Sequence, residues 1–119
     1  MKKQLLAITV ATLAAVASHS AFAEDTLDKI KKSGSITLGV RESSGLSYTL
    51  GNGKYVGFHT EMAERIIGDL QKQLGLAKLA INYQPVTSQN RVPLVQNGTV
   101  DLECGSTTNN TARGKDVAF

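Results

Sequence analysis

The sequence is poor in the residues that build metal and redox sites. Its 119 residues include one cysteine and two histidines, and they contain neither a histidine cluster nor a metal-ligand spacing. We therefore expect neither a metal nor a cofactor. In an oxidising compartment, the lone Cys104 is either a buried thiol or one half of a disulfide whose partner is missing from the sequence.

The only long apolar run lies at the N-terminus. Lys2 and Lys3 precede an uncharged run from Leu5 to Ala17, which is too short to span a bilayer of ~30 Å as a helix. The next residues, Ser18 to Ala23, end in Ala-Phe-Ala, the small-x-small pattern that precedes a cleavage site. This order predicts a secretory signal peptide over residues 1–23. An uncleaved membrane anchor is the alternative.

An excess of one charge is also absent once that segment is removed. Lys2 and Lys3 account for two of the 13 basic residues, so Glu24 to Phe119 carry 11 basic and 10 acidic residues, a net charge of +1. This stretch of 96 residues contains no basic run. Such a balance gives no support for nucleic-acid binding, and we expect no nucleic-acid partner.

The glycines do not form a phosphate-binding loop. Neither G-x-G-x-x-G nor G-K-[ST] occurs, so the nucleotide interpretation is weak. Asn52-Gly53 instead lies between two short apolar runs within Tyr48 to Phe58, which predicts a β-hairpin.

Strands and helices alternate along the rest of the chain, without internal repeats or low-complexity linkers. The pattern predicts an α/β fold with a mainly parallel sheet flanked by helices. The predicted strands outside the hairpin are Ser35–Val40, Leu79–Val86 and Thr99–Cys104. The predicted helices are Asp25–Ser33, His59–Leu74, Asn90–Gln96 and one that begins at Asn110 or Thr111.

Polar clusters follow the three predicted parallel strands, where open α/β sheets bind their ligands. Together they contain three arginines and several hydroxyls, but no acidic pair. A guanidinium group binds a carboxylate through two parallel hydrogen bonds and stays charged, so this set favours an anion. Solvated surface arginines are the alternative. The clusters are Arg41–Ser44, Thr87–Arg91 and Gly105–Asn110, with Arg113 shortly after.

An enzyme with Cys104 as nucleophile and His59 as base is a competing hypothesis. No activating neighbour of the cysteine is evident, and His59 begins a predicted helix. We therefore expect a buried structural thiol and a surface or capping histidine, and no catalytic residues.

Three stretches carry a resemblance to a known family: Thr26–Ser44, Thr87–Thr99 and Asp101–Asn110, the last reading DLECGSTTNN. They resemble the glutamate/aspartate-binding proteins of bacterial ABC importers, within family 3 of the polar-amino-acid solute-binding proteins. The resemblance implies a periplasmic, monomeric protein of the type II binding-protein fold, with two α/β lobes that close on an acidic amino acid. It also implies membrane permease subunits as partners.

The resemblance further implies six substrate-binding residues. By position, Arg41, Ser88 and Arg91 hold the side-chain carboxylate of the ligand, Ser106 and Thr108 lie near its α-amino group, and Arg113 takes its α-carboxylate.

Similar proteins have well over twice as many residues. We therefore expect residues 24–119 to be a partial N-terminal lobe of a truncated copy, without the second lobe, and to bind ligand at millimolar concentration at best. The missing part would hold the acidic partner of the ligand's ammonium group and any disulfide partner of Cys104. A non-functional fragment, a ligand-sensing outer domain and a periplasmic dehydratase remain alternatives, and glutamate is not ranked above aspartate.

Overall fold

A computed structural model describes residues 25–42 and 45–119. The predicted signal peptide lies outside the described residues, as do Ser43 and Ser44 of the first polar cluster. Within the described ranges, no helix has the length and apolar character needed to cross a membrane.

The predicted α/β class is confirmed. Most element boundaries fall within one residue of those expected from the sequence. The helices are α1 (Thr26–Ser33), α2 (Phe58–Gln73) and α3 (Arg91–Gln96), followed by a 3-10 turn at Arg113–Lys115. The strands are β1 (Ser35–Val40), β2 (Tyr48–Gly51), β3 (Lys54–Val56), β4 (Ala80–Pro85) and β5 (Leu102–Glu103).

The main sheet is parallel, with β1 between β4 and β5. The strand β4 pairs with β1 along its whole length, from Ser35 opposite Ala80 to Val40 opposite Pro85. On the other side, β5 pairs with β1 through Gly39 opposite Glu103. Because all three strands run the same way, the loops that follow them leave from one edge of the sheet.

The hydrophobic core is built on one face of β1, the face that carries every second residue of the strand. Ile36, Leu38 and Val40 are buried there, and Ile30 of α1 and Ile67 of α2 pack into the same cluster. Burial of an aliphatic side chain of this size stabilises the fold by roughly 1.5–3 kcal/mol. The core therefore fixes β1, and with it the edge from which the polar loops depart.

The hairpin predicted from Asn52-Gly53 is confirmed, with β2 and β3 antiparallel. Asn52 has φ 54° and Gly53 has φ 73°, the positive pair that a two-residue type I′ turn requires. The hairpin leads into α2 through Gly57, whose φ is 114°. A Cβ at Gly57 would lie 2.7 Å from the Leu46 carbonyl oxygen, so this close approach requires glycine.

Two expectations for the C-terminal part are wrong. The strand predicted over Thr99–Cys104 covers only Leu102–Glu103. Before it, the Asp101 N–H donates to the Thr37 carbonyl oxygen of β1, but the Thr37 N–H donates to the Asp101 side chain, so a side-chain bond stands in place of the regular backbone ladder. The last predicted helix is a three-residue 3-10 turn that contains Gly114, a poor helix former. Asn110 does cap this turn, since its Oδ1 accepts from the Arg113 N–H at 2.9 Å.

Candidate functional site

The polar clusters that follow β1 and β4 share a cavity of about 400 Å³. Arg41 and Glu42 leave β1 on one side of it, and Thr87, Ser88 and Gln89 leave β4 on the other. The structure thus brings together Arg41 and Ser88, two of the six residues that the sequence assigns to a ligand.

The loop after β4 is shaped by a reciprocal pair of hydrogen bonds. The Thr87 N–H donates to Asn90 Oδ1 at 2.7 Å, and the Asn90 N–H donates to Thr87 Oγ1 at 3.2 Å. These bonds close a tight turn that presents Ser88 and Gln89, both exposed, just before α3. The signal for this turn was present in the sequence as the T-x-x-N spacing before a helix.

Arg41 links the first polar cluster to the third. Its Nη1 donates to Ser106 Oγ at 2.6 Å, across the edge of the sheet from the end of β1 to the loop after β5. The structure therefore places Ser106 beside the guanidinium group that lines the cavity with Ser88.

The loop after β5 folds back on itself through Arg113. Its Nη1 donates to the carbonyl oxygen of Thr108 at 2.9 Å, while Asn110 holds its backbone N–H. Thr108 and Arg113 are thus neighbours. The guanidinium group is partly exposed and keeps further donors for a ligand.

Arg91 occupies a different setting from Arg41. It is the first residue of α3, yet only 6% of it is exposed, so the alternative of a solvated surface charge is wrong for this residue. Its Nε and Nη1 are buried and have no hydrogen-bond partner in the described part of the chain. It lines a second cavity of about 300 Å³ together with Glu103, Cys104 and Phe119, apart from the cavity of Arg41 and Ser88.

None of these arginines forms an ion pair with a carboxylate in residues 25–42 and 45–119. Ion pairs that do occur there join Lys29 to Asp101 and Lys72 to Asp69. Guanidinium groups that are fixed by hydroxyls and carbonyls, and not neutralised by a bonded carboxylate, suit an anionic ligand.

Sequence reasoning did not find Glu103 and Thr107. The Thr107 hydroxyl donates to Glu103 Oε2 at 2.7 Å, whereas Glu103 Oε1 is buried without a partner in the described residues. A single acid at the end of a short strand has no spacing that would have drawn attention to it.

The geometry does not support a cysteine nucleophile. Burial, and secondarily the charge of Glu103, raises the pKa of the Cys104 thiol, which disfavours the reactive thiolate. The thiol is free and half-buried, less buried than expected. The expectation of a surface or capping His59 is wrong: the residue is 9% exposed, because the loop before β2 packs on the start of α2 and Leu46 O accepts from the His59 N–H.

A search of the described ranges for three or more clustered His, Cys, Asp or Glu side chains finds no group able to hold a metal ion. The edge carries arginine, hydroxyl and amide groups together with the carboxylates of Glu42 and Glu103.

A parallel α/β sheet with arginines and hydroxyls at its carboxyl edge is the architecture of a binding-protein lobe. The profile of the bacterial extracellular solute-binding proteins, family 3, matches residues 36–119. The chain belongs to this family.

Two relatives are nearly 50% identical to the chain over the aligned residues. The chain is 45% identical over 117 residues to the L-glutamate/L-aspartate-binding protein of Pseudomonas aeruginosa, covering 94% of this chain and 39% of that protein. It is 49% identical over 98 residues to the glutamate/aspartate import solute-binding protein of Escherichia coli K12, covering 82% of this chain and 32% of that one. The chain thus spans between a third and two fifths of the length of these relatives.

Solved structures agree with the fold. The L-cysteine solute receptor of Neisseria gonorrhoeae matches with a TM-score of 0.66 at 30% identity, over 80% of this chain and 37% of that one. An ancestral cyclohexadienyl dehydratase, AncCDT-3(P188L), matches with a TM-score of 0.58 at 27% identity, over 75% and 34% of the two chains. The same lobe is therefore found in binding proteins and in an enzyme.

Proposed function

We propose that this protein is the substrate-binding component of an ABC importer and that it binds L-glutamate or L-aspartate. Residues 1–23 would direct export and be removed, and residues 24–119 would supply much of one lobe of a periplasmic, monomeric binding protein. The membrane permease subunits of the importer would be its partners. The names and the identity of the relatives from Pseudomonas and Escherichia support this proposal.

The observation that carries the proposal is the set of arginines without carboxylate partners at one edge of the sheet. A dicarboxylic amino acid presents two anionic groups, and each is matched best by a guanidinium fork. Burying the Arg91 guanidinium with two unpaired donors is costly unless an acceptor reaches it. A carboxylate that reaches Arg91 would supply both an acceptor and the opposite charge.

The proposed contacts keep the assignment that the resemblance implies. Ser88, with Arg41 and Arg91, would bind the side-chain carboxylate. The cavity shared by Arg41 and Ser88 supports the role of these two residues, whereas Arg91 lines the other cavity and its part rests on the resemblance. The other three residues belong to the loop after β5: Ser106 and Thr108 near the α-amino group, and Arg113 at the α-carboxylate.

We also propose that the protein binds without catalysis. The raised pKa of the Cys104 thiol argues against nucleophilic chemistry at that residue. Because a dehydratase shares the fold, turnover must be measured directly: the amino acid recovered after prolonged incubation should be chemically unchanged.

Native mass spectrometry and calorimetry on the protein isolated from the periplasm test the proposal. The mature chain should begin at Glu24, and a glutamate- or aspartate-sized adduct should titrate to one per chain. Replacing Arg41 or Arg113 with alanine should weaken binding by about 10- to 100-fold, the effect of losing a charge-assisted hydrogen-bonding group.

The matched control is Arg65→Ala, which removes an exposed arginine of α2 away from the edge and should leave affinity unchanged. Absence of glutamate and aspartate binding in the wild-type protein, or equal losses in all three variants, would contradict the proposal.

A further inference from the structure

Glu103 is a carboxylate that lies near arginines proposed to bind an anion, in the cavity lined by Arg91. Glu103 pairs with Gly39 of the central strand. A Cβ at Gly39 would lie 3.4 Å from the Glu103 Cγ and 3.0 Å from a Val100 methyl group. The Glu103 side chain therefore packs over Gly39, although an added Cβ would crowd Val100 first.

The Glu103 carboxylate holds the loop that follows it. Its Oε2 accepts a 2.7 Å hydrogen bond from the Thr107 hydroxyl. The Thr107 N–H in turn donates to the Gly105 carbonyl oxygen at 2.8 Å, so Ser106 lies at the centre of a three-residue turn. Since Glu103 belongs to the sheet, this bond ties the turn to a rigid element.

The position of this turn determines where Ser106 meets Arg41. Its hydroxyl accepts from Arg41 Nη1 at 2.6 Å, which fixes one side of the guanidinium fork at the mouth of the cavity. No carboxylate in the described residues is bonded to Arg41, so its orientation depends on this neutral contact. The contacts run in one line, from Glu103 to Thr107, to the turn at Ser106, and to Arg41.

A carboxylate near an anion site weakens anion binding by repulsion. Its presence there therefore calls for a role that offsets this loss. A merely structural role would be filled as well by a neutral residue. The bond to Thr107 supplies a more specific role, because it sets the place of the hydroxyl that orients the binding arginine.

We propose that Glu103 and Thr107 are positioning residues: their hydrogen bond holds Ser106 where it orients the Arg41 guanidinium, and thereby sets the preference for a side-chain carboxylate over the corresponding amide. The inference rests on the proposed function, since it concerns the same site. It adds two residues that touch no ligand themselves and assigns them the selectivity between acidic amino acids and their amides.

The experiment compares the affinities for glutamate and glutamine, by calorimetry, in protein isolated from the periplasm. Thr107→Val removes the hydroxyl at nearly constant shape and should lower the glutamate-to-glutamine affinity ratio by about three- to tenfold, the effect of one ordinary hydrogen bond. Thr107→Ser keeps the hydroxyl and should restore the ratio. Thr99→Val, an exposed threonine before β5, is the matched control and should leave the ratio unchanged.

The ratio separates positioning from folding, because a destabilised variant loses active fraction for both ligands alike. Circular dichroism shows whether Thr107→Val folds. If it does not, Glu103→Met removes the acceptor and Glu103→Gln keeps a neutral one, and only the first should lower the ratio. Wild-type protein that binds no glutamate would overturn the proposed function, and this inference with it. Wild-type binding together with an unchanged ratio in Thr107→Val, or in a folded Glu103→Met, would overturn this inference alone.

Discussion

The hydroxyl of Tyr83 donates a 2.5 Å hydrogen bond to the Glu64 carboxylate, which joins β4 to α2. The Tyr83 ring also stacks on Tyr55 of the hairpin, with 5.7 Å between the ring centroids. One side chain thus connects the sheet, the long helix and the hairpin that leads into it. Burial of the ring, together with the hydrogen bond to Glu64 and its negative charge, raises the pKa of Tyr83 to about 12.

Tyr83 should therefore ionise at a higher pH than an ordinary tyrosine in a spectrophotometric titration. Its pKa in the folded protein, about 12, is above the ordinary value of 10.0. Unfolded chains then release this proton first, so the associated stability is complete below pH 10 and is lost as the pH rises towards 12. Absorbance at the phenolate wavelength and thermal unfolding across this range measure both effects.

Two variants identify the residue and the causes. Tyr83→Phe should abolish the late titration, and Glu64→Gln should lower the pKa of Tyr83 without restoring its ordinary value, because burial is the larger cause. If the tyrosines of the folded wild-type protein all titrate together near pH 10, the Tyr83–Glu64 contact is not formed in solution.

Gly57 should be the most sensitive glycine at the junction between the hairpin and α2. Gly57→Ala places a methyl group 2.7 Å from the Leu46 carbonyl oxygen at φ 114°, so the backbone must shift. We expect a loss of about 2–4 kcal/mol in the free energy of unfolding, from strain and overlap together. Urea denaturation measures this loss, provided that the dependence of the unfolding free energy on urea concentration has the same slope in both proteins.

Gly34→Ala is the matched control for this substitution. Gly34 also has a positive φ, 66°, but no atom lies within 4 Å of an added Cβ, so only the backbone conformation is strained. Its expected cost is about 1–2 kcal/mol. Equal losses at the two positions would mean that the loop at Leu46 does not pack on Gly57.

Asp101 should contribute far more to stability than an ordinary charged residue of this chain. Its side chain is 3% exposed, accepts from the Thr37 N–H at 2.8 Å and forms an ion pair with Lys29. Asp101→Ala leaves a buried backbone donor and a partly exposed lysine without their partner, so we expect a loss of about 1.5–3 kcal/mol in the free energy of unfolding.

Asp69→Ala supplies the comparison for Asp101. Asp69 pairs with Lys72 on the surface of α2, where the two side chains are 71% and 80% exposed, and such pairs contribute about 0–1 kcal/mol. Chemical denaturation of the two variants side by side should separate them clearly. A loss at Asp101 no larger than that at Asp69 would refute the assigned role.

Local patterns explain why the fold and the place of the site followed from the sequence. The alternation of Ile36, Leu38 and Val40 predicted the strand β1, and Asn52-Gly53 predicted the hairpin because this pair favours a type I′ turn. The parallel arrangement then placed the polar clusters at one edge, and the structure joins two of them through Arg41 and Ser106.

Packing between distant segments explains what the sequence did not reveal. Arg91 begins a helix after a polar loop, a position that looks exposed; it is buried in the cavity that it shares with Glu103 and the C-terminal residues up to Phe119. His59 is buried by the loop at Leu46, which precedes it by a whole hairpin. The bond between Glu103 and Thr107 spans four residues, but its link to the site depends on the contact of Ser106 with Arg41, at the end of another strand. Contacts between segments that are far apart in the sequence leave no local periodicity from which they could be predicted.

The last prediction concerns Cys104, which is the only cysteine in the sequence and so gives a single labelling site. Its pKa is raised above the ordinary 9.0 by burial first and by the charge of Glu103 second. The thiolate is the reacting species, so the thiol of the native protein should react with iodoacetamide more slowly than the thiol of the urea-unfolded protein. The labelling rate of the native protein should still be rising above pH 9.

Glu103→Gln removes the charge, the smaller cause of the raised pKa, and should accelerate labelling, but not to the rate of the unfolded protein. Glu61→Gln, which removes an exposed carboxylate of α2, should leave the rate unchanged. A native thiol that reacts as fast as the denatured one would show that Cys104 is open to solvent, and that Glu103 does not lie beside it in solution.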